Sequence, residues 1–566
     1  MSALVAELRV RDGISPAEAG VPEPRHAVTT QDGMVIERDV AIPLADGTVI
    51  YADVYRPQGT EAVPALIAYG PYGKHNGGNV YAQFRDESGR TGGGVRPEWI
   101  SDYTTFEGPD PLRWCSFGYA VLNVDPRARW WSGGELASMW NGLEAADCAD
   151  VIAWAAAQEW SSGKVGMSGV SWLAVTQWWA ASLRPPALAA INPCEGLSDV
   201  YREFAFHGGI ASNFPAFLQA HRLQHSQAKV EDLAAMMAGH PLDDDYWASK
   251  RPDLANIDVP AYVIASWSDQ GLHARGTLAA FEQLGSERKF LEVHGRKKWE
   301  TYHSPSVVAR QRLFFDRFLK DIHNEVDDWA PVRLEMRRSF YDGVQRTPAA
   351  WPPPEATVRE LHLDAARGTL VDPAPAAAAA VRYASQDPQD GVTFRHVFAE
   401  AVDVVGSARL RLWVASEDAE DLDLFVALTK RDTDGQTVDF PYANVLEHGP
   451  LALGWLRASH RALDGERSTP TRPFHPHLRE EAVAPGEVVA VEIEIWPSGT
   501  RFEAGEALEL KVMGSDPYPG AALWRHPQTR NRGTHAVHAG GERDSKLVLS
   551  VLAPEPDAPV WASPDV

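Results

Sequence analysis

Short apolar runs alternate with segments of helical spacing along the first 320 residues of the chain. Apolar runs that end at Gly or Pro are typical of buried strands, and they lie at 64–73, 118–127, 164–170, 187–193, 260–267 and 289–295. Apolar residues with helical spacing lie between or after these runs, at 141–158, 171–182 and 307–320. Strands that alternate with helices predict a mostly parallel sheet covered on both faces.

Two segments depart from this alternation. Residues 194–258 are rich in helical patterning without strand alternation, so they predict a cap inserted over one end of the sheet. Beyond the Pro- and Ala-rich connectors at 351–358 and 373–380, short runs alternate apolar and polar residues, as in a β-sandwich or jelly roll. The predicted architecture is therefore an α/β domain formed by 1–193 and 259–330, the helical cap, and a jelly-roll β domain at 331–566.

Composition and charge exclude several classes of partner. The chain has 566 residues and a formal net charge of −24, which opposes binding to nucleic acid or to anionic membranes. No window approaches 18 apolar residues, and the N-terminus has no apolar run of signal-peptide length. The three cysteines, Cys115, Cys148 and Cys194, are too few for a disulfide framework. We therefore expect a cytoplasmic protein that binds neither nucleic acid nor membrane.

The sequence contains no motif for a metal or a nucleotide cofactor. There is no H-E-x-x-H, no C-x-x-C, no acidic calcium loop and no glycine-rich nucleotide fingerprint. His475 and His477 lie two residues apart, a spacing that fits a loop better than a pair of metal ligands. We expect neither a metal nor a cofactor.

The segment KVGMSGVSWLAVTQWW at 164–179 has the order of a nucleophile elbow, in which a strand, a sharp turn and a helix follow one another. Two serines, Ser168 and Ser171, each follow a glycine by two residues. Ser168 falls inside the strand run, whereas Ser171 stands where the helix begins, and the small residue Ala174 follows three positions later. The pattern favours Ser171 as the nucleophile, with structural roles for both serines as the alternative.

Several motifs together resemble the cocaine-esterase/X-Pro dipeptidyl-peptidase (CocE/NonD) family of α/β-hydrolases. They are GPYGK (70–74), DPRARWWSGGE (125–135), the elbow segment, SWSD (266–269), LGWLRASHR (453–461), IWPSGTRFEAGEALELKVMGSD (495–516) and NRGTHAVHAGG (531–541). The likeness covers roughly residues 30–553 and implies an α/β-hydrolase domain followed by a jelly roll. The chain departs from the family pattern at Trp172, where Tyr is usual, at Ala174, where Gly is usual, and at HGRKKWETYH (294–303), where G-P-W-x-H is usual.

A serine nucleophile needs a base and an orienting acid, which in this fold follow it in the order Ser, Asp or Glu, His. Asp269 comes after the strand run 260–267, where the family's acid also falls, and capping the next helix is its alternative role. For the base we expect His294, at the tip of the last strand run, with His303 as the alternative base. His273 lies four residues after Asp269 at the predicted start of a helix, so we expect no catalytic role for it.

Two donors are expected for the oxyanion hole. The backbone N–H of Trp172 directly follows the nucleophile, and the family resemblance implies the Tyr72 hydroxyl as the second donor. Aromatic residues around these elements predict an acyl or aryl pocket, formed by Trp130, Trp131, Trp172, Phe204, Phe206 and Phe214.

These features predict a serine hydrolase that cleaves a carboxylic ester or amide bond of a small molecule through an acyl-enzyme. One alternative is an X-Pro dipeptidyl peptidase or amino-acid ester hydrolase, which would need acidic residues such as Glu203 or the run 243–245 to hold an α-amine. An acyltransferase would differ only in the acceptor of the acyl group. The alternative of another class is a non-catalytic binding protein on the same fold. A homodimer is one possible assembly.

Overall fold

A mixed sheet crosses the N-terminal part of the chain in the computed structural model, which describes residues 8–75, 81, 92–443, 445–518 and 525–561. Its strands are β1 (Ala27–Gln31), β2 (Met34–Pro43), β3 (Val49–Pro57), β4 (Val63–Tyr69), β5 (Ala120–Asp125), β6 (Ser161–Val170), β7 (Leu188–Cys194), β8 (Ala261–Ser266), β9 (Lys289–His294), β10 (Val332–Ser339) and β11 (Asp342–Arg346). They lie side by side in the order β1-β2-β3-β5-β4-β6-β7-β8-β9-β10-β11. Neighbours from β5 to β10 are parallel, and the strands at both edges pair antiparallel.

The inner strands are buried, as a parallel sheet covered by helices requires. β5 and β8 are buried along their whole length, and β4 is buried apart from its first residue. Their residues are mainly Val, Ile, Leu and Ala, whose burial contributes about 25 cal/mol per Å² of apolar surface. Because parallel strands share a direction, their carboxyl ends meet at one edge of the sheet. Tyr72, Ser171 and Asp269, which follow β4, β6 and β8, therefore emerge at the same edge.

Helices connect the strands and pack against the sheet. They are α1 (Pro111–Ser116), α2 (Gly142–Ala156), α3 (Trp172–Ser182), α4 (Phe214–His221), α5 (Leu233–Gly239), α6 (Asp245–Ala248), α7 (Ala274–Gln283), α8 (Lys298–His303) and α9 (Pro305–Leu319). Polar side chains cap several of their N-termini: Asn141 Oδ1, for example, accepts hydrogen bonds from the backbone N–H groups of Leu143 and Glu144. None of the helices in the described ranges is both long enough and apolar enough to cross a membrane.

The segment between β7 and β8 forms a cap at the carboxyl edge of the sheet. It contains α4, α5 and α6, a π-helical turn at Tyr201–Ala205, and short strands at Phe206–His207, Ile210–Ala211 and Lys229–Glu231. The last of these strands pairs with two further short strands, Val10–Asp12 and Leu136–Ala137, which ties the cap to the α/β domain.

The C-terminal part of the chain is built from antiparallel strands. They are β12 (Thr357–Asp364), β13 (Thr369–Val371), β14 (Ala379–Ala384), β15 (Val392–Val397), β16 (Val402–Ser416), β17 (Asp423–Arg431), β18 (Ala452–Arg457), β19 (Val489–Phe502), β20 (Ala507–Met513), β21 (Thr534–Ala539) and β22 (Lys546–Leu552), with shorter strands at Thr437–Val438, Phe440–Tyr442 and Leu446–Gly449. β16 pairs with β19, β21 and β22, while β20 pairs with β15 and β17. Between them lies a second apolar core of Leu, Val, Ile and Phe side chains. The predicted fold class, an α/β domain with a cap followed by a β-sandwich, is confirmed.

The α/β sheet continues beyond residue 330, the boundary expected from the sequence. β10 pairs in parallel with β9 and antiparallel with β11, so residues up to Arg346 belong to this sheet. Arg337 of β10 also pairs with Thr500 of β19, which joins the sheet to the β domain.

Candidate active site

Ser171 lies in a sharp turn between β6, which ends at Val170, and α3, which begins at Trp172. Its backbone has φ +58° and ψ −115°, and a positive φ of this kind costs a non-glycine residue about 1–3 kcal/mol. The turn also requires Gly169, because a Cβ at that position would come within 2.5 Å of Leu173 Cβ. The strained turn brings the Ser171 side chain to the wall of a cavity at the carboxyl edge of the sheet.

Ser168, the other candidate nucleophile, lies inside β6 and is buried. Its hydroxyl hydrogen-bonds to Asn192 Oδ1 at 3.0 Å and to the Tyr302 hydroxyl at 2.8 Å. These contacts fully engage the hydroxyl within the protein, so Ser168 has a structural role.

An imidazole in contact with Ser171 belongs to His273. Its Nε2 lies 3.1 Å from Ser171 Oγ, within hydrogen-bond range. His273 immediately precedes α7 and is 1% exposed. Excluding this residue because it starts a helix is therefore a mistake of the sequence reasoning. The loop after β8 places the start of α7 beside the elbow, where a side chain at the helix N-terminus can reach the serine.

The histidines expected to supply the base, His294 and its alternative His303, contact other groups in the described structure. His294 ends β9, and its Nε2 lies 3.3 Å from Glu195 Oε1. His303 ends α8, and its Nε2 lies 2.9 Å from the Tyr81 hydroxyl. Burial lowers the pKa of His294 to about 4 and that of His303 to about 3. The structure thus brings neither ring to Ser171, and the candidate base is corrected to the histidine before α7.

Asp269 follows β8, as predicted, but it does not hold the far nitrogen of the imidazole. Its Oδ2 lies 3.9 Å from His273 Nε2, the nitrogen that faces Ser171, and 3.1 Å from Lys298 Nζ. In the usual triad the acid accepts a hydrogen bond from Nδ1, yet His273 Nδ1 makes no hydrogen bond to a carboxylate of the described residues. The backbone carbonyl of Gly196 interacts with the ring instead. Asp269 therefore lies close to the imidazole without accepting a hydrogen bond from its Nδ1.

The ammonium of Lys298 lies among three buried carboxyl groups, in the segment where the sequence departs from G-P-W-x-H. Although burial opposes it, the charges of Asp269, Glu107 and Glu195 raise the pKa of Lys298. Burial raises the pKa of Asp269 and that of Glu195 to about 7, and the charge of Glu195 adds to the rise at Asp269. Burial in a shared environment therefore favours the protonated form of these carboxyl groups.

The same environment keeps the imidazole of His273 uncharged. Burial first, and then the positive charge of Lys298, lower the pKa of His273 well below its usual value. The ring is therefore neutral across the physiological pH range and is able to accept a proton from Ser171.

Tyr72 lines the same cavity as Ser171, and the side chains of Ser171 and Glu107 both act on its hydroxyl. Burial, and next the charge of Glu107, raise the pKa of Tyr72 well above its usual value, so the hydroxyl keeps its proton. Trp130 supports this loop, because its indole Nε1 donates a hydrogen bond to the carbonyl oxygen of Pro71 at 2.9 Å.

The start of α3 supplies a second donor beside the serine. The backbone N–H of Trp172 is the first of the helix, and the first N–H groups of a helix have no partner within it. This N–H and the Tyr72 hydroxyl both flank Ser171. An oxyanion on a carbon bonded to Ser171 Oγ would find both donors close by.

A narrow apolar cavity opens onto Ser171 and His273. The space open to the centre of a water-sized sphere is about 70 Å³. The cap and the α/β domain both contribute to its walls, which include Phe106, Trp140, Trp172, Leu197, Phe204, Phe214, Phe217, Leu218, Leu272 and Trp299. Such walls favour an apolar group of limited size next to the nucleophile.

Three aromatic residues predicted for the pocket lie elsewhere. Trp130 stacks on His225 with ring centroids 4.4 Å apart. Trp131 donates a hydrogen bond from Nε1 to a backbone carbonyl of the N-terminal segment. Phe206 stacks on Tyr201 within the cap. These three side chains are near the site in sequence, but they do not line the cavity.

The loop after β8 and helix α7 are held by the other two parts of the molecule. Gln270 hydrogen-bonds through its side-chain amide to two backbone groups of the β domain, at 2.9 and 3.1 Å. Arg275 pairs with Glu203 of the cap at 2.6 Å and with Glu494 of the β domain at 3.0 Å. The β domain therefore fixes the segment that carries the imidazole.

Four charged or titratable residues of the site were missed by the sequence reasoning: His273, Lys298, Glu107 and Glu195. The available signal was a histidine one helical turn after Asp269, together with lysines in a segment where the family pattern has a histidine. Within the described ranges, no group of three or more His, Cys, Asp or Glu side chains is arranged to hold a metal ion.

Two family profiles match the chain, one in each half. Residues 46–231 match the X-Pro dipeptidyl-peptidase (S15 family), and residues 324–548 match the X-Pro dipeptidyl-peptidase C-terminal non-catalytic domain. The first match contains the elbow, and the second covers most of the β domain.

Individual relatives agree with these profiles. A crystal structure of a CocE/NonD family hydrolase from Staphylococcus aureus is 38% identical, with a TM-score of 0.87 over 96% of this chain and 99% of that one. Cocaine esterase from Rhodococcus sp. (strain MB1 Bresler) is 24% identical over 91% of this chain and 98% of its own length. An α-amino acid ester hydrolase is 18% identical, with a TM-score of 0.69 over 96% of this chain and 100% of that one, and it shares the fold.

Proposed function

The chain belongs to the CocE/NonD family of hydrolases and is a serine hydrolase, and on this premise we propose that it cleaves a carboxylic ester or amide of a small molecule through an acyl-enzyme on Ser171. The observation that carries the proposal is the 3.1 Å contact between Ser171 Oγ and His273 Nε2 at a strained elbow. A serine hydroxyl becomes a nucleophile when a neutral imidazole accepts its proton. Both groups border one apolar cavity, where an acyl group can lie against them.

In the acylation step, Ser171 Oγ attacks the carbonyl carbon of the substrate while His273 Nε2 takes the hydroxyl proton. The former carbonyl oxygen becomes negative, and the Tyr72 hydroxyl and the Trp172 N–H stabilise it by about 2.7–4 kcal/mol each. The imidazolium then gives its proton to the leaving alcohol or amine as the bond to that group breaks. Water repeats the sequence and releases the carboxylic acid.

The charges beside His273 suit a base that is protonated only during the reaction. Asp269 Oδ2, 3.9 Å from Nε2, favours the imidazolium as it forms. After burial, the ammonium of Lys298 is the group that lowers the pKa of His273 at rest, and it hydrogen-bonds to the same carboxyl group. Lys298 therefore helps to keep the imidazole neutral between turnovers, and Asp269 lowers the free-energy cost of protonating it during the reaction.

The cavity supports an uncharged, apolar acyl group. Its described walls are mainly aromatic, and the carboxyl group among them is Glu107. The Oε1 of Glu107 accepts a hydrogen bond from Trp299 Nε1 at 3.0 Å, while its Oε2 has no hydrogen-bond partner among the described residues. The positive charge of Lys298 acts on the same carboxyl group and disfavours a substrate ammonium group beside it.

The names of relatives support an X-Pro dipeptidyl peptidase or amino-acid ester hydrolase. The ion pairs of the acidic residues in the cap support it less well. Such enzymes need an acidic residue to hold the α-amine of the substrate. Glu203 is paired with Arg275 at 2.6 Å, and Asp243 is paired with Arg202 and Arg251 at 2.7 Å each. We therefore rank esters and amides of neutral acyl groups first.

The proposal also covers the cellular location and the partners of the enzyme. The three cysteines are buried and free, which suits the reducing cytoplasm. A net charge of −24 disfavours nucleic acid and anionic membranes as partners. Water is the acyl acceptor in the proposed reaction, and a homodimer is compatible with it.

A substrate panel tests the proposal. It compares p-nitrophenyl acetate, butyrate and benzoate with amino-acid and Gly-Pro nitroanilides, and a fluorophosphonate probe reports which serine is modified. We expect ester hydrolysis, modification at Ser171 located by mass spectrometry, and poor turnover of substrates with a free α-amine. Faster turnover of Gly-Pro nitroanilide would favour the peptidase alternative. Absence of both hydrolysis and modification would favour a non-catalytic protein.

A further inference from the structure

The imidazole of His273 lacks the support that the acid of a triad usually gives. Its Nε2 lies 3.1 Å from Ser171 Oγ, but no carboxylate of the described residues accepts a hydrogen bond from its Nδ1. In the usual triad that hydrogen bond fixes the orientation of the ring. His273 directly precedes α7, and its backbone N–H and that of Ala274 both donate to the carbonyl oxygen of Asp269. The position of the ring therefore depends on the position of the first turn of α7.

Arg275, two residues after His273, links this first turn to both other parts of the molecule. Its Nη1 donates to Glu203 Oε1 of the cap at 2.6 Å, and its Nε donates to both carboxylate oxygens of Glu494 on β19, at 3.0 and 3.1 Å. Arg275 is 7% exposed, and Glu203 is fully buried. A planar guanidinium donates along fixed directions, so these contacts restrain position as well as charge. The three side chains form a bridge, the α7 bridge, from the cap through the helix to the β domain.

The carboxylate of Glu203 also holds one wall of the cavity. It accepts hydrogen bonds from the backbone N–H groups of Ser198 and Asp199, at 2.8 and 2.9 Å. These two residues follow Leu197, which lines the cavity together with Ser171. The cap end of the α7 bridge is therefore fixed by contacts of its own, and these contacts do not involve the β domain.

A second ion pair holds the far end of α7 against the β domain. Glu282, in the last turn of the helix, accepts hydrogen bonds from both Nη groups of Arg472, at 2.8 and 2.9 Å. This pair has the same chemistry as the pair between α7 and β19, but it lies at the end of the helix away from His273. The two ends of α7 therefore offer a matched comparison, in which only one end carries the base.

We propose that Arg275 is a positioning residue for the base, and that the β domain contributes to catalysis by holding Arg275 through Glu494. The α7 bridge keeps the imidazole at hydrogen-bond distance from Ser171, in place of the usual contact between an acid and Nδ1. The proposal rests on the proposed serine-hydrolase function of the same site. Misplacement of a catalytic group by about 1 Å can lower the rate about 10²-fold, so a small shift of α7 has a measurable effect.

Glu494→Gln is the informative variant, because it removes the charge on the β domain and leaves the contact between Arg275 and Glu203. We expect kcat on a p-nitrophenyl ester, and the rate at which a fluorophosphonate modifies Ser171, to fall about tenfold. KM should stay within about twofold of wild type, since the wall of the cavity keeps its own contacts. A wild-type rate of modification in the folded variant would overturn the proposal.

Substitution of the arginine itself should have a larger effect. Arg275→Met removes both contacts of the α7 bridge and leaves Glu203 buried without its ion-pair partner, so kcat should fall about 10²-fold. Arg275→Lys keeps the charge but lacks the planar fork that reaches two carboxylates, so its kcat should lie between those of Arg275→Met and wild type. A wild-type kcat in Arg275→Met would overturn the proposal. If Arg275→Met does not fold, Glu494→Gln still decides the question.

Glu282→Gln is the matched control, since it weakens the equivalent ion pair at the other end of α7. It should lower the midpoint of thermal unfolding about as much as Glu494→Gln does, but leave the rate of Ser171 modification near that of wild type. Equal losses of rate in the two variants would overturn the proposal, because they would report general loosening of the contact between α7 and the β domain.

The effect of Glu494→Gln should also pass through the imidazole. In a His273→Gln background, Glu494→Gln should therefore cause no further fall in the rate of Ser171 modification. Additive losses in the double variant would overturn the proposal, because they would mean that the α7 bridge supports the site without positioning the base.

The wild-type protein distinguishes failure of this proposal from failure of the proposed function. If a fluorophosphonate modifies Ser171 and the ester is hydrolysed while Glu494→Gln behaves as wild type, only the positioning role fails. If wild type neither reacts nor hydrolyses the ester, the serine-hydrolase assignment fails, and this inference fails with it.

Discussion

Two loops leave neighbouring parallel strands at the same edge of the sheet, each is followed by a helix, and histidines lie at the ends of these segments. The loop after β8 leads into α7, and it brings His273 to 3.1 Å from Ser171 Oγ. The loop after β9 leads into α8. His294, at the end of β9, lies against Glu195, and His303, at the end of α8, lies against Tyr81. The first segment thus supplies the proposed base, whereas the second supplies Lys298, which hydrogen-bonds to Asp269 of the first.

The difference between these two segments shows which geometric feature of the site acyl transfer requires. Acyl transfer needs a ring nitrogen within hydrogen-bond distance of the serine oxygen, and it does not need that ring to come from a particular strand. Because parallel strands end at one edge, neighbouring loops can exchange roles without moving the nucleophile. In this chain, Lys298 hydrogen-bonds to Asp269 from the segment in which the family pattern has a histidine.

The largest loss of kcat is expected when Ser171 Oγ, the nucleophilic atom, is removed. Ser171→Ala removes the nucleophile, so kcat should fall by about 10³-fold or more on any ester that wild type hydrolyses. Steady-state hydrolysis and fluorophosphonate modification both measure this. The control is Ser168→Ala, which removes two buried hydrogen bonds and should affect stability more than kcat. A modified Ser168 in wild type would contradict the assignment of the elbow.

A smaller loss of activity should show that the segment after β9 contributes a positive charge to the site. Lys298→Met removes an ammonium that hydrogen-bonds to Asp269, and a hydrogen bond to a charged group is worth about 1.5–3 kcal/mol. We expect kcat/KM to fall about ten- to hundredfold. Burial still lowers the pKa of His273, but the contribution of Lys298 is lost, so this pKa rises. Since activity requires neutral His273, the acid limb of the pH profile should move to higher pH.

Lys297→Met is the matched control for that shift. Lys297 is adjacent, equally buried, and paired with Glu447 at 2.7 Å, away from the catalytic cavity. Its variant should leave the acid limb of kcat/KM where wild type has it. An identical displacement in both variants would mean that the shift reports general loss of buried charge rather than a specific action on His273.

The smallest catalytic effect is expected at the histidine of the second loop. His294→Gln removes the imidazole that lies 3.3 Å from Glu195 and accepts a hydrogen bond from the Arg296 backbone N–H. The free energy of unfolding should fall by about 1–3 kcal/mol, measured by urea denaturation. We expect kcat to stay within about threefold of wild type. A loss of several orders of magnitude in kcat with unchanged stability would return the base to His294.

Much of the molecule could be predicted from the sequence because it depends on patterns repeated over several residues. The parallel sheet, the cap, the β domain and the elbow around Ser171 all follow from apolar periodicity and the spacing of small residues. The base could not be predicted in this way, because its identity depends on how one short loop orients α7. The same holds for Trp130 and Phe206, whose positions next to site elements in sequence do not indicate which layer their rings enter.

The most direct test of the central assignment compares His273→Gln with His294→Gln in the rate at which a fluorophosphonate modifies Ser171, because this rate reports proton removal from the serine without product release. If His273 is the base, its variant should react about 10³-fold more slowly than wild type or worse, and His294→Gln should react at nearly the wild-type rate. The opposite order of the two rates would contradict the assignment.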